Sequence, residues 1–442
     1  MWSIDGPGQK TAPTRAQVQS SATCGRGDGS AGRLSSGGVE AEAQVSGRSP
    51  GGRTATPAPP RAAFLGVFAA CLPVFLGLGA TVPVLPRFVK GPVGAGDVAV
   101  GIVVGAFALT AVLCRPLAGR MADARGRRVV VMAGALFGAL AGVLYFLPFG
   151  VPGLVLARLA LGAGEGCVFT AGATWTVDLA PIHARGRAIG LFGLSIWSAL
   201  AVGPLIGQGL LDAAGYDAVW AFAAAAPLAG ALVARALPDS PVRPGVAPRR
   251  PWIAPEALRP GASLALANFG YAAFAGFVVL HLERRGIGHG AAVFTAFASA
   301  VVATRLLAGR LPDVVGPRRT AVGAAGMEAL GLAIVAAAHS LGAAVAGAVV
   351  MGFGFSVLYP SLALMVVDRV GEAGRGAALG TFTAFFDVGV GLGAPLAGAI
   401  AAVSGYPAAF WAAAGAALAG GSVAAAGSDR VRRAVADVGL LR

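Results

Sequence analysis

The strongest constraint on this chain is a series of apolar segments, each long enough to cross a bilayer. Crossing takes roughly 20 residues. Lipid offers no hydrogen-bond partner to the peptide backbone, so such segments must be helices. The sequence predicts twelve of them, at 62–84, 98–118, 129–149, 151–177, 187–211, 217–236, 260–281, 290–309, 319–338, 341–367, 376–402 and 407–427. We therefore expect an all-α integral membrane protein with twelve transmembrane helices.

Charge is scarce and unevenly placed. Charged residues make up 12% of the chain, whereas a soluble domain carries about a quarter. The loops after even-numbered spans hold Arg120, Arg125, Arg127, Arg128, Arg185, Arg187, Arg235, Arg243, Arg249, Arg250, Arg259, Arg310, Arg318, Arg319, Arg369 and Arg375. The loops after odd-numbered spans hold only Arg87, Lys90, Arg284 and Arg285. Basic loops stay in the cytoplasm. The position of the basic residues therefore indicates a cell-membrane protein with both termini in the cytoplasm. It also accounts for the net charge of +14 without a nucleic-acid partner.

The two halves of the chain repeat each other at a constant offset of 190 residues. Matched pairs include Arg115 with Arg305, Asp123 with Asp313, Gly126 with Gly316, Asp178 with Asp368, Gly203 with Gly393, and Tyr216 with Tyr406. Composition bias does not explain one offset across so many polar and glycine positions. Internal repeats of this kind mark secondary transporters. The pattern predicts two pseudo-symmetric six-helix bundles.

Composition sets the expected boundaries. Residues 1–60 are rich in Gly, Ser and Pro and poor in aromatics, so we expect a disordered cytoplasmic tail. The bundles are predicted at 61–236 and 260–428, joined by a Pro- and Arg-rich cytoplasmic linker at 237–259. Residues 429–442 form the predicted C-terminal cytoplasmic tail.

The loop between spans 2 and 3 resembles the signature of the major facilitator superfamily. The matching residues are Gly119, Asp123, Gly126, Arg127 and Arg128, with a second-half copy at Gly309, Asp313, Gly316 and Arg318 that Pro317 interrupts. The resemblance covers about 62–427 and is closest to sugar-efflux-like and drug:proton antiporter branches. It implies a cytoplasmic latch between the halves, in which Gly119 meets a helix of the other half and Asp123 pairs with Arg127. A plain positive-inside turn explains the arginines but not the Gly and Asp spacing.

Three charged residues inside spans are candidates for proton coupling: Arg158 and Glu165 in span 4, and Asp387 in span 11. A charge there is costly unless it is paired or faces a water-filled cavity. Arg158 and Glu165 lie two helical turns apart and so face one side of the helix. Asp387 has no basic residue in its own helix, and an apolar surrounding makes a carboxylate easier to protonate. The structural alternative is a salt bridge or hydrogen bond that only holds packing.

Span 5 partly resembles the antiporter motif of the superfamily. Gly190, Gly203, Pro204 and Gly207 match it, whereas Ala199 and Gln208 stand where glycine is usual. Ordinary close packing is the alternative. Trp197, Tyr359 and Phe386 are candidates for lining a cavity, and Pro360 suggests that the helix breaks beside Tyr359.

Several activities lack a sequence signal. There is no G-x-x-x-x-G-K-[ST] nucleotide cradle, and neither the four cysteines nor the four histidines show metal-ligand spacing. We expect no cofactor, no metal and no enzymatic activity. The favoured function is proton-coupled efflux of a small organic molecule, a drug or a sugar-like metabolite, by a monomer in the lipid bilayer. The alternatives are a proton-coupled importer and a non-transporting receptor or scaffold.

Overall fold

All regular structure in the described part of the chain is α-helical. The computed structural model describes residues 60–147, 149–179, 185–239, 253–370 and 375–426. The predicted tails lie outside these residues, apart from Pro60, and so does the middle of the predicted linker. The helices are α1 (Pro60–Thr81), α2 (Val84–Lys90), α3 (Asp97–Arg125), α4 (Arg127–Leu144), α5 (Gly150–Leu179), α6 (Arg185–Ala236), α7 (Pro255–Arg284), α8 (Gly290–Leu307), α9 (Leu311–Val315), α10 (Pro317–Ala337), α11 (Leu341–Val367), α12 (Arg375–Ser404) and α13 (Tyr406–Ala426).

The described helices provide twelve membrane crossings. Eleven segments are long and apolar enough to cross, and one of them belongs to α6, which runs for 52 residues. At 1.5 Å per residue α6 would be roughly 78 Å long, more than twice the thickness of a bilayer core. Gly215 breaks it with a φ of 79°, so α6 crosses twice. The predicted all-α fold with twelve transmembrane helices is confirmed, although α7 begins at Pro255, inside the predicted linker.

The repeat is present in the backbone as well as in the sequence. Gly126 and Gly316 both have a φ of 97°, and each is followed at once by a helix. Gly215 and Gly405 have φ values of 79° and 81° and stand before the last crossing of each half. Side chains disfavour these positive φ values, so glycine lets the chain turn abruptly there. The two halves therefore reverse direction at equivalent places.

Each half packs mainly within itself, and two helix pairs provide most of the packing between the halves. In the first half α1 packs on α6, and α5 packs on both α3 and α4. In the second half α7 packs on α12 and α13, and α10 and α8 both pack on α11. Between the halves, α3 lies against α12 and α6 lies against α8. The functional residues described below lie along these two joining pairs.

The two membrane faces differ in how closely the halves meet. We call the face with the Gly126 and Gly316 turns the basic side, and the face with the Gly215 and Gly405 turns the distal side. Near the distal side, a Cβ on Gly105 would lie 2.9 Å from the Gly391 carbonyl oxygen of α12. Small residues thus let the two backbones approach, which is how membrane helices gain packing energy.

Polar contacts strengthen the distal closure. The Tyr406 hydroxyl donates a hydrogen bond of 2.9 Å to Asp97, joining α13 to the start of α3. Arg87 of α2 forms an ion pair with Glu283 of α7. These four residues come from both halves, so the distal face cannot open without breaking both contacts.

On the basic side the joining helices separate. A Cβ on Gly119 of α3 would meet only the Thr170 methyl of its own half, at 3.8 Å. A Cβ on Gly380 of α12 would meet nothing within 4 Å among the described residues. The space between the halves therefore opens toward the basic side.

We predict that a bulky residue at Gly101 disturbs the distal closure. A Cβ there would lie 2.9 Å from the Pro395 Cα of α12, so Gly101→Leu must push α3 and α12 apart. In a chain with its four cysteines replaced by serine, a Val82→Cys probe near the central cavity should react several-fold faster with an impermeant maleimide added on the distal side.

The matched control is Gly323→Leu, because Gly323 is exposed on α10 with open space around it. It should leave the labelling rate of Val82→Cys unchanged. Equal labelling in the Gly101 and Gly323 variants would show that the α3–α12 contact does not close the distal face.

Candidate functional site

A buried cluster of three charges joins the halves where the close α3–α12 contact ends. Arg115 of α3 donates to Asp387 of α12 through Nε at 2.7 Å and Nη2 at 3.1 Å. Nη2 of Arg115 also donates to Glu165 of α5, at 3.1 Å and 3.3 Å from the two carboxylate oxygens. We call these three residues the charge triad. The structure thus brings together Asp387 and Glu165, two of the three predicted coupling residues.

The triad is largely shielded from solvent. The Asp387 side chain is 1% exposed, and those of Arg115 and Glu165 are each 14% exposed. The Arg115 guanidinium also lies 4.7 Å from the ring centre of Phe169. A buried ion pair adds little net stability, because desolvation offsets the attraction, but removing one partner alone is costly. Such a contact joins the halves firmly only while all its charges are present.

Arg158, the third predicted coupling residue, lies apart from the triad. It donates hydrogen bonds to the carbonyl oxygens of Val103 and Val104, at 3.2 Å and 3.0 Å. Its guanidinium also lies 4.7 Å from the ring centre of Phe107. Arg158 and Glu165 both turn toward α3, as their spacing predicts, but they contact different levels of that helix. The buried charge of Arg158 is satisfied by backbone dipoles and an aromatic ring.

A cluster of aromatic rings lies between the halves. Trp197 of α6 packs edge-on against Tyr271, Phe297 and Phe355, with ring centres 5.2–6.1 Å apart. Phe386 contacts Tyr271 and Phe355 at 6.3 Å and 6.4 Å. We call these five residues the aromatic cluster. Trp197 belongs to the first half and the other four to the second, so the cluster bridges the halves.

A small cavity adjoins this cluster. It measures about 40 Å³ and is lined by apolar residues of α1, α3 and α7 together with Tyr271 and Arg158. This volume holds a few water molecules and no drug-sized ligand. Of the predicted lining residues, Trp197 and Phe386 lie in the adjoining cluster and not in the cavity wall.

Tyr359 is placed by a hydrogen bond and not by a helix break. Helix α11 continues through Pro360, so the predicted break is wrong. The Tyr359 hydroxyl lies 3.0 Å from Thr383 Oγ1, which itself donates to the Leu379 carbonyl. Tyr359 therefore donates to Thr383 and keeps its oxygen as an acceptor, within electrostatic range of both Arg115 and Arg305.

The predicted latch contacts only its own half among the described residues. Asp123 pairs with Arg127 at 2.8 Å, as predicted, and Arg127 also pairs with Asp178 at 3.1 Å. The Arg128 amide donates to Asp239 at 3.0 Å. The predicted contact of Gly119 with the other half is wrong for this conformation, because α3 and α12 have separated at that level.

The second-half copy of the motif has lost its ion pair. Asp313 makes no salt bridge within the described residues, and Arg318 instead donates to the Ala425 carbonyl of α13. Pro317 occupies the first turn of α10, where the first-half copy has Arg127. The turn at Gly316 and the nearby Gly309 are kept, so the copy retains the backbone of the motif but not the pair that Asp123 and Arg127 form in the first half.

The glycines of span 5 face a helix of their own half. A Cβ on Gly203 would lie 2.8 Å from the Gly79 Cα of α1, and Gly207 meets the Ala80 carbonyl. Pro204 lies between them within α6, and Gly190 lies near the start of that helix. Helix α1 therefore fills the groove, which favours the close-packing alternative over a substrate path.

Sequence reasoning missed Arg115 as a site residue. The repeat pairs it with Arg305, yet Arg115 stands near the end of an apolar span and fits the positive-inside pattern. Its partner Asp387 is 272 positions away in the other half. The available signal was the unpaired charge of Asp387 itself, which demands a cation from another helix.

Two six-helix bundles that meet around buried charges and part on one face define a membrane transporter. The chain belongs to the Major Facilitator Superfamily, whose family profile matches residues 67–304 and 262–436. An uncharacterised MFS-type transporter of Salmonella typhimurium is 33% identical over 359 residues, which cover 79% of this chain and 92% of that protein. One from Burkholderia mallei is 30% identical over 354 residues, covering 78% and 87%.

Solved structures share the fold at low sequence identity. The nucleoside transporter NupG has a TM-score of 0.67 at 15% identity, covering 82% of this chain and 98% of its own. The human organic anion transporter MFSD10 has a TM-score of 0.65 at 18% identity, covering 83% and 99%. These likenesses establish the architecture.

We predict that Arg115→Gln destabilises the protein, because it leaves two buried carboxylates without a cation. The expected loss is about 3–5 kcal/mol in the free energy of unfolding. Adding Glu165→Gln and Asp387→Asn to the same chain should restore part of that loss, since no buried charge then lacks a partner. The midpoint of thermal unfolding in detergent measures both effects.

Arg310→Gln serves as the control, because Arg310 is exposed and outside the triad. It should not move the midpoint. If the triple variant is less stable than Arg115→Gln alone, the three charges of the triad do not stabilise one another.

Proposed function

We propose that this transporter exports a small organic molecule in exchange for protons and that the charge triad is its coupling site. The observation that carries the proposal is the Arg115–Asp387 contact at 2.7 Å. It joins the halves, it is buried, and two of the three triad members can bind a proton. A proton on Asp387 or Glu165 removes a negative charge that Arg115 now binds.

Protonation would change which face is open. The positive-inside rule supports a cytoplasmic position for the open face and for both termini, because the basic loops lie on that face. Neutralising a triad carboxylate weakens the contact between α3 and α12 at the end of the distal closure. A proton shifts the equilibrium between the conformation open on the basic side and the conformation open on the distal side. The shift is only as large as the difference in the proton's affinity for the two conformations. The triad provides this difference in proton affinity, because the contact between Arg115 and Asp387 depends on how closely the two halves approach each other.

The fold and the central residues support a small organic molecule as the substrate class. The aromatic cluster and the nearby charges suit such a molecule, and the cavity of about 40 Å³ beside them must widen to admit it. Fold neighbours named as transporters of nucleosides and of organic anions support this class. All triad residues come from one chain, so we propose that a monomer in the cell membrane is the working unit.

Direction distinguishes the first proposal from its main alternative. The resemblance of the loop signature to the drug:proton antiporter branch supports efflux, whereas Gly203 and Gly207 pack on α1 and add nothing to that argument. Import by proton cotransport uses the same triad. A growth screen with drugs and sugars, in cells with and without the gene, identifies a compound whose accumulation the protein changes. A chain that changes accumulation of no compound would favour the receptor or scaffold alternative.

We predict that Asp387→Asn uncouples transport from protons. In proteoliposomes, flux of the screened compound driven by a pH gradient should fall by about tenfold or more. Exchange of labelled for unlabelled compound without a gradient should continue, because the halves can still move. The direction of the driven flux in the unmodified protein separates efflux from import.

Asp217→Asn is the matched control, since it makes the same chemical change at an exposed carboxylate on the distal side of α6. It should leave driven flux intact. Undiminished driven flux in Asp387→Asn, with exchange also normal, would remove Asp387 from the coupling mechanism.

A further inference from the structure

The 190-residue repeat gives the charge triad a counterpart in the joint between α6 and α8. Arg305 of α8 corresponds to Arg115. Phe355 of α11 corresponds to Glu165, and Trp197 of α6 corresponds to Asp387. The second set is also held together by contacts, although there Trp197, and not the arginine, contacts both other members. The repeat therefore places three residues at equivalent positions in both joints, and aromatic rings replace both carboxylates in the second.

Arg305 consequently lacks a counter-charge. Its guanidinium lies 5.7 Å from the ring centre of Trp197, and its Nη1 lies 2.5 Å from where a Cβ on Gly193 would stand. Within the described residues it makes no salt bridge and donates no hydrogen bond. Arg115, its counterpart, makes four hydrogen bonds to two carboxylates.

The contact with Trp197 compensates only part of the cost of this charge. The attraction between a cation and an aromatic ring is weaker than the cost of removing an ion from water. Arg305 is half-buried, so part of its side chain remains accessible to a ligand. An anionic group there would supply the missing charge.

We propose that Arg305 binds the anionic group of an organic substrate, while the aromatic cluster binds the apolar part of the molecule. This inference rests on the proposed transport function and assigns its substrate class. Trp197 comes from the first half and Arg305 from the second, so a bound molecule contacts both moving parts. Gly193 leaves room for the guanidinium to turn toward the ligand.

The test compares three probes of the same shape and different charge. They are 1-naphthoate, 1-naphthalenemethanol and 1-naphthalenemethylamine, each titrated to about 10 mM against the purified full-length protein in detergent. The readout is the shift in thermal unfolding midpoint, which rises with occupancy of the folded state. We expect a shift for the carboxylate, less for the alcohol and none for the amine.

Variants then assign the anion to Arg305. Arg305→Gln should weaken naphthoate binding by about tenfold or more, and Arg305→Lys should restore part of it, since charge-assisted hydrogen bonds are the strong ones. Arg310→Gln, which removes an exposed arginine nearby in the chain, should bind naphthoate as the unmodified protein does. Equal shifts for the carboxylate and the alcohol would overturn the proposal, as would full binding by Arg305→Gln or no carboxylate shift.

A lipid phosphate carries the same anionic chemistry, so the titration is repeated with phosphatidylglycerol in mixed micelles. If phosphatidylglycerol competes with naphthoate no better than a neutral lipid control does, the substrate assignment stands. An Arg305-dependent shift seen only with phosphatidylglycerol overturns it.

The binding test does not depend on proton coupling. If naphthoate binds through Arg305 but Asp387→Asn keeps full proton-driven flux, the coupling proposal fails and the anion site stands. If Asp387→Asn uncouples transport but Arg305→Gln binds naphthoate as the unmodified protein does, the coupling site stands and the proposed substrate class is wrong.

Discussion

A charge inside a membrane protein needs a counter-charge, a set of dipoles, water or a ligand, and this requirement organises the centre of the molecule. Three arginines reach the interior and meet the requirement in three ways. Arg115 binds two carboxylates, one of them from the other half. Arg158 binds backbone carbonyls of α3. Arg305 has an aromatic ring and, within the described residues, no anion. The first solution holds the halves together, the second anchors one helix to another, and the third leaves a site for a ligand.

Duplication explains how one chain came to contain such different solutions. Equivalent glycines turn the backbone with nearly equal φ values in both halves, as Gly126 and Gly316 show. The backbone constraint is the same in each half, because a helix must end and reverse at the membrane face. Side chains in the central space are not bound by that constraint. The copies could therefore diverge to a charge triad on one side and an arginine among rings on the other, without altering the fold.

The fold was predictable because its signals are local. Apolar segments and alternate basic loops follow from the cost of placing polar groups in lipid, and neither requires knowledge of distant contacts. The Asp123–Arg127 pair was predictable for the same reason, since its members are one helical turn apart. Arg115 was missed because its partner Asp387 is set by how the halves approach. The contact expected of Gly119 is absent here for the same reason, since it also depends on how closely α3 and α12 approach at that level.

The two proposals constrain each other through charge balance. With its carboxylates ionised, the triad carries one net negative charge, which Arg305 balances, while the charge of Arg158 is stabilised separately by backbone carbonyls. One anion bound at Arg305 makes the sum over the triad and Arg305 negative, and one proton on Glu165 or Asp387 restores neutrality. Closing the site around a net charge is expensive, because the surrounding helices and lipid screen it poorly. The anion site proposed at Arg305 therefore favours binding of substrate together with a proton, so it supports cotransport, the alternative mode, whereas the coupling site by itself is compatible with exchange. A neutral or cationic substrate would instead compete with the proton, as export by exchange requires. The charge of the molecule that binds beside Trp197 thus determines which of the two transport modes this triad can drive.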